Sequence, residues 1–189
     1  MENTLKQDKI VAISGKQLAG KTTAAGYFKQ IMPEYEIVHL ADALKDEYCE
    51  EEGITRETLE EYKYIHRRGL IELGSEGRAR DINYWVKKVL NHPNYPKLII
   101  PDVRFMTEIK ELTKHHTYFI SIRASREERI KRGFLACEDD PSENDIELED
   151  HEIFHSIINN SRSLRYLEKR CCGIAKTMLC ANIPCSVWR

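Results

Sequence analysis

The stretch that most constrains this chain is Gly15-Lys16-Gln17-Leu18-Ala19-Gly20-Lys21-Thr22. It reads G-x-x-x-x-G-K-T, the signature of a loop that cradles a phosphate chain. Its flanks suit the motif. Ile10-Val11-Ala12-Ile13-Ser14 before it is a short run rich in β-branched residues, and Thr23 to Ile31 after it can form a helix. Glycines let the backbone wrap with its N–H groups inward, and the helix start adds partial positive charge. In such a loop Lys21 reaches the β- and γ-phosphates and the Thr22 hydroxyl holds Mg²⁺, while Gly15, Lys16, Gln17, Leu18, Ala19, Gly20 and Thr23 complete the wrapping segment.

The rest of the chain supplies the sheet such a loop needs. Strands are expected at Glu36–Leu40, Lys97–Asp102, Thr117–Ile122 and Ile153–Ile158. Helices are expected at Asp42–Glu52, Thr55–Tyr62, Tyr64–Gly77, Asp81–Leu90, Met106–His115 and Arg126–Arg132, with a closing helix at about 163–179. Ile65, Leu70, Ile71 and Leu73 read as the apolar side of the fourth of these helices, counting that after the loop, and Trp85, Val86 and Val89 as inward positions of the next. Short apolar strands alternating with helices predict an α/β fold, a parallel sheet with helices on both faces. Ligands then sit at the carboxyl ends of the strands. With no repeat and no low-complexity linker, residues 1–189 are expected to form one domain.

Composition narrows the function. A net charge of −2 gives no electrostatic case for nucleic acid or membrane, and no apolar run approaches the roughly 20 residues of a membrane span. The first residues lack the apolar core of a signal peptide, so a cytoplasmic setting is expected. The six cysteines include no C-x-x-C pair, which argues against structural zinc.

Charged residues at strand ends carry the chemistry. Asp102 closes an apolar strand, where it can organise Mg²⁺, the favoured role, or cap the next helix. Arg104 follows on the same edge and suits bidentate phosphate binding or a surface ion pair. Ser125 to Arg132 is dense in cations and precedes an irregular acidic stretch, Glu138–Glu152. This suggests a lid at about 124–150 in which Arg129 and Arg132, i and i+3 on one face, neutralise charge on a transferring phosphoryl group. Arg126 is a weaker member. Lys45, Lys63, Arg67, Arg68, Arg78 and Arg80 lie between the second and third strands, where an acceptor phosphate needs cations, though six exceed one site. Ser142, with Asp140 and Glu143, can contact the acceptor from the lid. No general base accompanies these cations. A phosphate monoester, with a second pKa near ~6, is largely dianionic at neutral pH and needs none. Phosphate-to-phosphate transfer therefore fits better than hydroxyl phosphorylation.

These residues resemble the P-loop kinases of small phosphate monoesters. Leu70-x-x-Leu73-Gly74-x-Glu76-x-Arg78, Asn83-Tyr84-Trp85-Val86 and Ile100-Pro101-Asp102-Val103-Arg104 resemble deoxynucleoside monophosphate kinases. Ser14-Gly15-Lys16 and Leu44-Lys45-Asp46-Glu47-Tyr48 fit both these and animal-type phosphomevalonate kinases. Arg129-x-x-Arg132-Gly133, Asp139-Asp140-x-Ser142-Glu143 and Ile157-Ile158-Asn159-Asn160 are similar to the latter. The resemblance spans most of residues 9–170. It implies a P-loop NTPase three-layer sandwich, a five-stranded parallel sheet with helices on both faces and a mobile lid. It implies ATP-Mg²⁺ as donor, a small phosphate monoester as acceptor, Lys16 and Lys21 at the donor phosphates, and Asn160 near the adenine. Arg104 and Arg78, with Lys45, Arg67 and Ser142, fall on the acceptor side. Thr22 departs from many of these relatives, which carry Asp there. The favoured acceptor is a (deoxy)nucleoside monophosphate, with Tyr84 and Trp85 as a stacking surface for the base. The alternatives are 5-phosphomevalonate and a non-catalytic nucleotide-binding module.

Overall fold

The computed structural model describes residues 10–93, 95–134 and 152–180. Its centre is a five-stranded, all-parallel sheet: β1 (Ile10–Ser14), β2 (Glu36–Ile37), β3 (Leu98–Val103), β4 (Thr117–Arg123) and β5 (Ser156–Asn159), in the order β2-β3-β1-β4-β5. The helices are α1 (Lys21–Ile31), α2 (Leu40–Glu52), α3 (Arg56–Glu61), α4 (Lys63–Arg80), α5 (Tyr84–Leu90), α6 (Met106–Leu112), α7 (Arg126–Lys131) and α8 (Leu164–Cys180), with a 3₁₀ turn at Thr113–His115. Among these residues no helix is long and apolar enough to cross a membrane.

Strand alternation sorts the core into two layers. Val11, Ile13, Ile99, Ile120, Ile122 and Ile158 face one way, onto Phe28 of α1 and Leu167, Cys171 and Ala175 of α8. Ile10, Ala12, Leu98, Ile100 and Phe119 face the other, onto Leu40 of α2, Val86 and Val89 of α5, and Ile109 and Leu112 of α6. Burying every side chain of β1 makes it read as a continuous apolar run, as central parallel strands do. Pro101 has no N–H to give the ladder, and the β1–β3 register shifts around it, pairing Ala12 with Ile100 but Ser14 with Val103. Asp102 lies one residue before the end of β3.

A third, smaller cluster of Tyr48, Cys49, Leu59, Leu73 and Trp85 binds α2, α3, α4 and α5 to one another. Glycines on α4 make the close approach possible. A Cβ at Gly77 would lie 2.6 Å from the Trp85 ring, and one at Gly69 2.6 Å from the Tyr48 hydroxyl. Each glycine in a helix interior costs about 1 kcal/mol against alanine, so this packing is bought with helix propensity.

Several boundaries differ from the sequence reading. The second strand stops at Ile37, because Leu40 already belongs to α2, whose N-terminus is drawn to Asp102. The last strand begins at Ser156 and not Ile153; Ile153 and Phe154 pack beside the second core layer instead. The expected apolar side of α4 is corrected. Ile65 and Ile71 are each 58% exposed, while Leu73, Gly74 and Gly77 face inward. Asn83 takes the N-cap position of α5, and Asp81 accepts the Asn83 amide at 2.9 Å. Thr55 and Ser125 cap α3 and α7 as expected, accepting amides of Thr58 and Glu128.

Candidate active site

The loop between β1 and α1 fits only glycine at its two ends. Gly15 has φ +144°, and a Cβ there would lie 2.1 Å from the Ile122 carbonyl oxygen. Gly20 has φ +105°, and a Cβ would lie 2.4 Å from Asn160 Nδ2. Between them the Ala19 amide donates to the Lys16 carbonyl at 3.1 Å, a tight turn with Leu18 at φ +60°. Lys21 Nζ donates to the carbonyls of Gly15 (2.6 Å) and Lys16 (2.8 Å), so its ammonium lies within the loop it follows. Thr22 and Thr23 are exposed on the first turn of α1, and Gln17 and Leu18 at the crest of the loop.

The loop's outward carbonyls are held from behind. Arg129 is buried on α7, stacks over Phe134 at 4.3 Å and donates to the Gln17 carbonyl at 3.4 Å. Arg132 Nη1 donates to the carbonyls of Leu18 (3.1 Å) and Ala19 (3.3 Å), and its Nη2 to the Asn160 carbonyl (2.6 Å). Asn160, 2% exposed, donates its side-chain amide to the Ala19 carbonyl at 2.8 Å. Three successive carbonyls, at Gln17, Leu18 and Ala19, are thus held by side chains from α7 and from the end of β5, while the Ala19 amide is taken up by the Lys16 carbonyl. The structure brings Arg129, Arg132 and Asn160 to the loop from behind it. Of the expected lid, residues 124–134 are described. Ser142, Asp140 and Glu143 lie outside the described residues, and Arg126 is exposed on α7.

Across the sheet edge lies a second group of charges. Asp102 Oδ1 accepts the Leu40 amide at 2.9 Å and Oδ2 the Ala41 amide at 3.0 Å, so the carboxylate caps α2, a helix earlier in the chain. His39 Nδ1 is 3.9 Å from Asp102 Oδ2. A carboxylate has about four lone-pair directions, and two remain after these amides are served. Arg104 follows, its amide donating to Glu108 Oε2 at 2.7 Å, with the Phe105 amide joining at 3.0 Å. Burial pushes the Glu108 carboxyl up to about 7; those two amides and the Arg78 charge oppose the rise, and the Asp102 charge adds to it. The Arg78 guanidinium lies 5.3 Å from the Phe105 ring centroid.

The other cations expected on the acceptor side are dispersed. Lys45 pairs with Glu60 between α2 and α3, and Lys63 meets the same carboxylate at 3.3 Å. The Lys45 contact holds Glu60 below the usual carboxylate range despite some burial. Arg68 and Arg80 bond Glu72 and Glu76 one turn along the same helix, and Arg67 is exposed. Tyr84 and Trp85 form no open platform. Trp85 is buried and donates its indole N–H to the Gly74 carbonyl at 3.1 Å; Tyr84 meets it edge-on, donates to Glu47 at 2.9 Å and carries Lys88 over its ring at 5.2 Å. Sequence reasoning missed His39, Phe105 and Glu108. For Glu108 a signal exists: a Glu three residues into a helix start is a capping pattern. His39 and Phe105 have none, since only the tertiary fold sets them beside Asp102 and Arg78.

A protein-family model described as phosphomevalonate kinase matches residues 13–118. That span runs from the end of β1 through the loop, the helical cover and β3 to the start of β4. Among solved structures, shikimate kinase from Acinetobacter baumannii, in complex with shikimate, is similar with a TM-score of 0.58 at 12% identity, covering 93% of this chain and 96% of that one. TT1252 from Thermus thermophilus is similar at 0.54 and 18% identity, covering 91% and 98%. Shikimate kinase from Bacteroides thetaiotaomicron gives 0.53 and 13% identity, covering 90% and 98%. At such identities the likeness is one of fold, that of the parallel α/β sheet.

Proposed function

Since the chain belongs to the phosphomevalonate kinase family, we propose that it transfers the γ-phosphoryl group of ATP to the phosphate of 5-phosphomevalonate. The observation that carries the choice of acceptor is the closure of the Tyr84–Trp85 pair. The stacking surface expected for a nucleobase is not formed by this pair: one ring is buried and the other is engaged by Glu47, Lys88 and Trp85. A small, non-aromatic phosphate monoester needs cations and no such face.

The donor phosphates lie along the loop from Gly15 to Thr23, with Lys16 and Lys21 bonding their oxygens. Lys21 Nζ exchanges its contacts to the carbonyls of Gly15 and Lys16 for the β- and γ-phosphates. Arg78 and Arg104 hold the acceptor phosphate, with Arg67 and Lys45, the latter released from Glu60, as further cations on the acceptor side. The acceptor oxygen attacks the γ-phosphorus in line, the bond to the β–γ bridging oxygen breaks, and ADP leaves. No side chain has to take a proton, because the acceptor oxygen is already ionised at neutral pH. Arg129 and Arg132 hold the loop carbonyls and offset charge on the transferring group. Asn160 belongs to the same donor wall, and Ser142 is assigned to the acceptor side. Thr22, exposed on the first turn of α1, and Asp102, with lone pairs to spare, are a hard-oxygen pair fit to hold Mg²⁺. When bound, that ion supplies charge neutralisation on the phosphate oxygens.

The test is ADP release across 5-phosphomevalonate and a panel of nucleoside and deoxynucleoside monophosphates. Turnover confined to 5-phosphomevalonate is the expected result. Turnover of a nucleoside monophosphate in its place overturns the choice of acceptor, and turnover of none leaves a nucleotide-binding module.

A further inference from the structure

Arg78 differs from the arginines around it. Arg68 and Arg80, on the same helix, spend their guanidinium donors on Glu72 and Glu76. Arg78 makes no salt bridge among the described residues. Its Nη2 reaches only the Ser75 hydroxyl, at 3.5 Å, and its guanidinium lies against Gly74, where a Cβ would come within 3.6 and 3.8 Å of the two terminal nitrogens. The other side of the group is covered by the Phe105 ring.

Phe105 is an unexpected residue in its own position. It is the N-cap of α6, where Ser, Thr, Asp and Asn are favoured and an apolar residue costs roughly 1 kcal/mol. The ring joins none of the three apolar clusters and is only half-buried. A local preference is overridden without a gain in the core, a pattern expected at functional sites. Its backbone is nonetheless fixed, since the Phe105 amide donates to Glu108.

We propose that Phe105 is a positioning residue for the acceptor phosphate, holding the Arg78 guanidinium over its ring so that the N–H fork stays available to an anion. This rests on the reading of Arg78 as an acceptor-phosphate ligand. A carboxylate partner would also hold Arg78, but it would occupy the donors that an acceptor needs. An aromatic face attracts the cation through its quadrupole and takes no N–H at all. The ring therefore supplies orientation without competing for the ligand.

The test uses the full chain. Phe105→Leu keeps an apolar side chain at the cap and removes the ring. The expected result is a roughly three- to tenfold rise in acceptor KM, with kcat and the KM for ATP within about twofold. Phe105→Tyr restores the wild-type acceptor KM, and in an Arg78→Met background Phe105→Leu adds nothing. A Phe105→Leu effect of equal size in that background, or a loss of kcat with no change in acceptor KM, overturns the proposal. A second readout does not depend on which acceptor is turned over. The Arg78 Nε–Hε resonance, assigned by its loss in Arg78→Lys, is shifted upfield by the ring in the wild type and returns in Phe105→Leu. Inorganic phosphate moves that resonance at lower concentration in the wild type than in Phe105→Leu. An unshifted resonance, or equal phosphate responses, overturns the role of Phe105 even where turnover stands. A wild type that turns over no acceptor defeats the kinase reading, while the resonance still decides the stack.

Discussion

The loop after β1 and the helical cover of α2–α5 are the two regions assigned above to the donor and the acceptor, and they differ in how they are built. The donor loop works through its backbone. Glycine geometry at Gly15 and Gly20 shapes it, and Arg129, Arg132 and Asn160 hold three of its carbonyls. The proposed acceptor half draws on side chains from separate elements: Arg78 from α4, Arg104 after β3, Phe105 and Glu108 from the start of α6. A backbone site is encoded in consecutive residues. A side-chain site is encoded in packing, here the glycine-spaced seam between α4, α2 and α5. The two halves should therefore fail separately.

The largest failure is expected at Lys21. Lys21→Ala removes the ammonium proposed to reach the phosphates, and kcat for ADP release should fall by about 10³-fold, in the range found for loss of one charge-stabilising donor. The circular dichroism spectrum should be unchanged, because the side chain donates to carbonyls of its own loop, at Gly15 and Lys16, and lies outside the three apolar clusters. Near-normal turnover would break the donor half of the comparison. Gly15→Ala is next. Its Cβ would strike the Ile122 carbonyl at 2.1 Å, in a backbone conformation that alanine resists. Urea denaturation should show a loss on the order of 3 kcal/mol together with lost ATP binding. Unaltered ATP affinity would mean that the loop has more freedom than its contacts suggest.

Gly77→Ala addresses the other half. The added methyl would lie 2.6 Å from Trp85 and force the seam between α4 and α5 apart, at a cost of about 1–3 kcal/mol. Acceptor KM should rise while ATP KM holds. Equal loss of both substrates would show that the two halves are coupled and not separate.

The same contrast explains what was readable before the fold was known. The donor loop and its strand–loop–helix setting stand in eight consecutive residues and their flanks, and the parallel sheet followed from the strand and helix alternation. Asp102 was legible as a carboxylate at a strand end. Its service to the amides of Leu40 and Ala41 was not, because those residues lie more than sixty positions away in the chain. The α4 pattern misled for a related reason. Ile65 and Ile71 look like a buried stripe at helical spacing, but the contact face is set by Gly69, Gly74 and Gly77, which carry no hydrophobic signal. Trp85 read equally well as part of a platform or as core, and its burial and indole bond to the Gly74 carbonyl decide for the core.

The smallest expected effect concerns pH, and it enters from the acceptor half. Among the described residues Glu108 is the one carboxyl driven upward, from an ordinary 4.5 to about 7, chiefly by burial. Between those values the folded chain holds a proton that the unfolded chain has released. Stability from this group is therefore fully present below about 4.5 and is lost as pH rises through about 7. Glu47, Glu60 and Asp81 are lowered, so their contributions run the other way and fade as pH falls. Comparing Glu108→Gln with the wild type isolates the one group. Glutamine still accepts the amides of Arg104 and Phe105 through its carbonyl and never ionises. The two proteins should melt alike near pH 5, and the variant should be the more stable near pH 8, by on the order of 1 kcal/mol for a half-buried group screened by solvent. Parallel melting curves at both pH values would show that Glu108 is an ordinary cap and that the acceptor half carries no buried charge of its own. A gap that opens with pH, with ATP affinity unchanged throughout, would place the titrating group on the acceptor side alone.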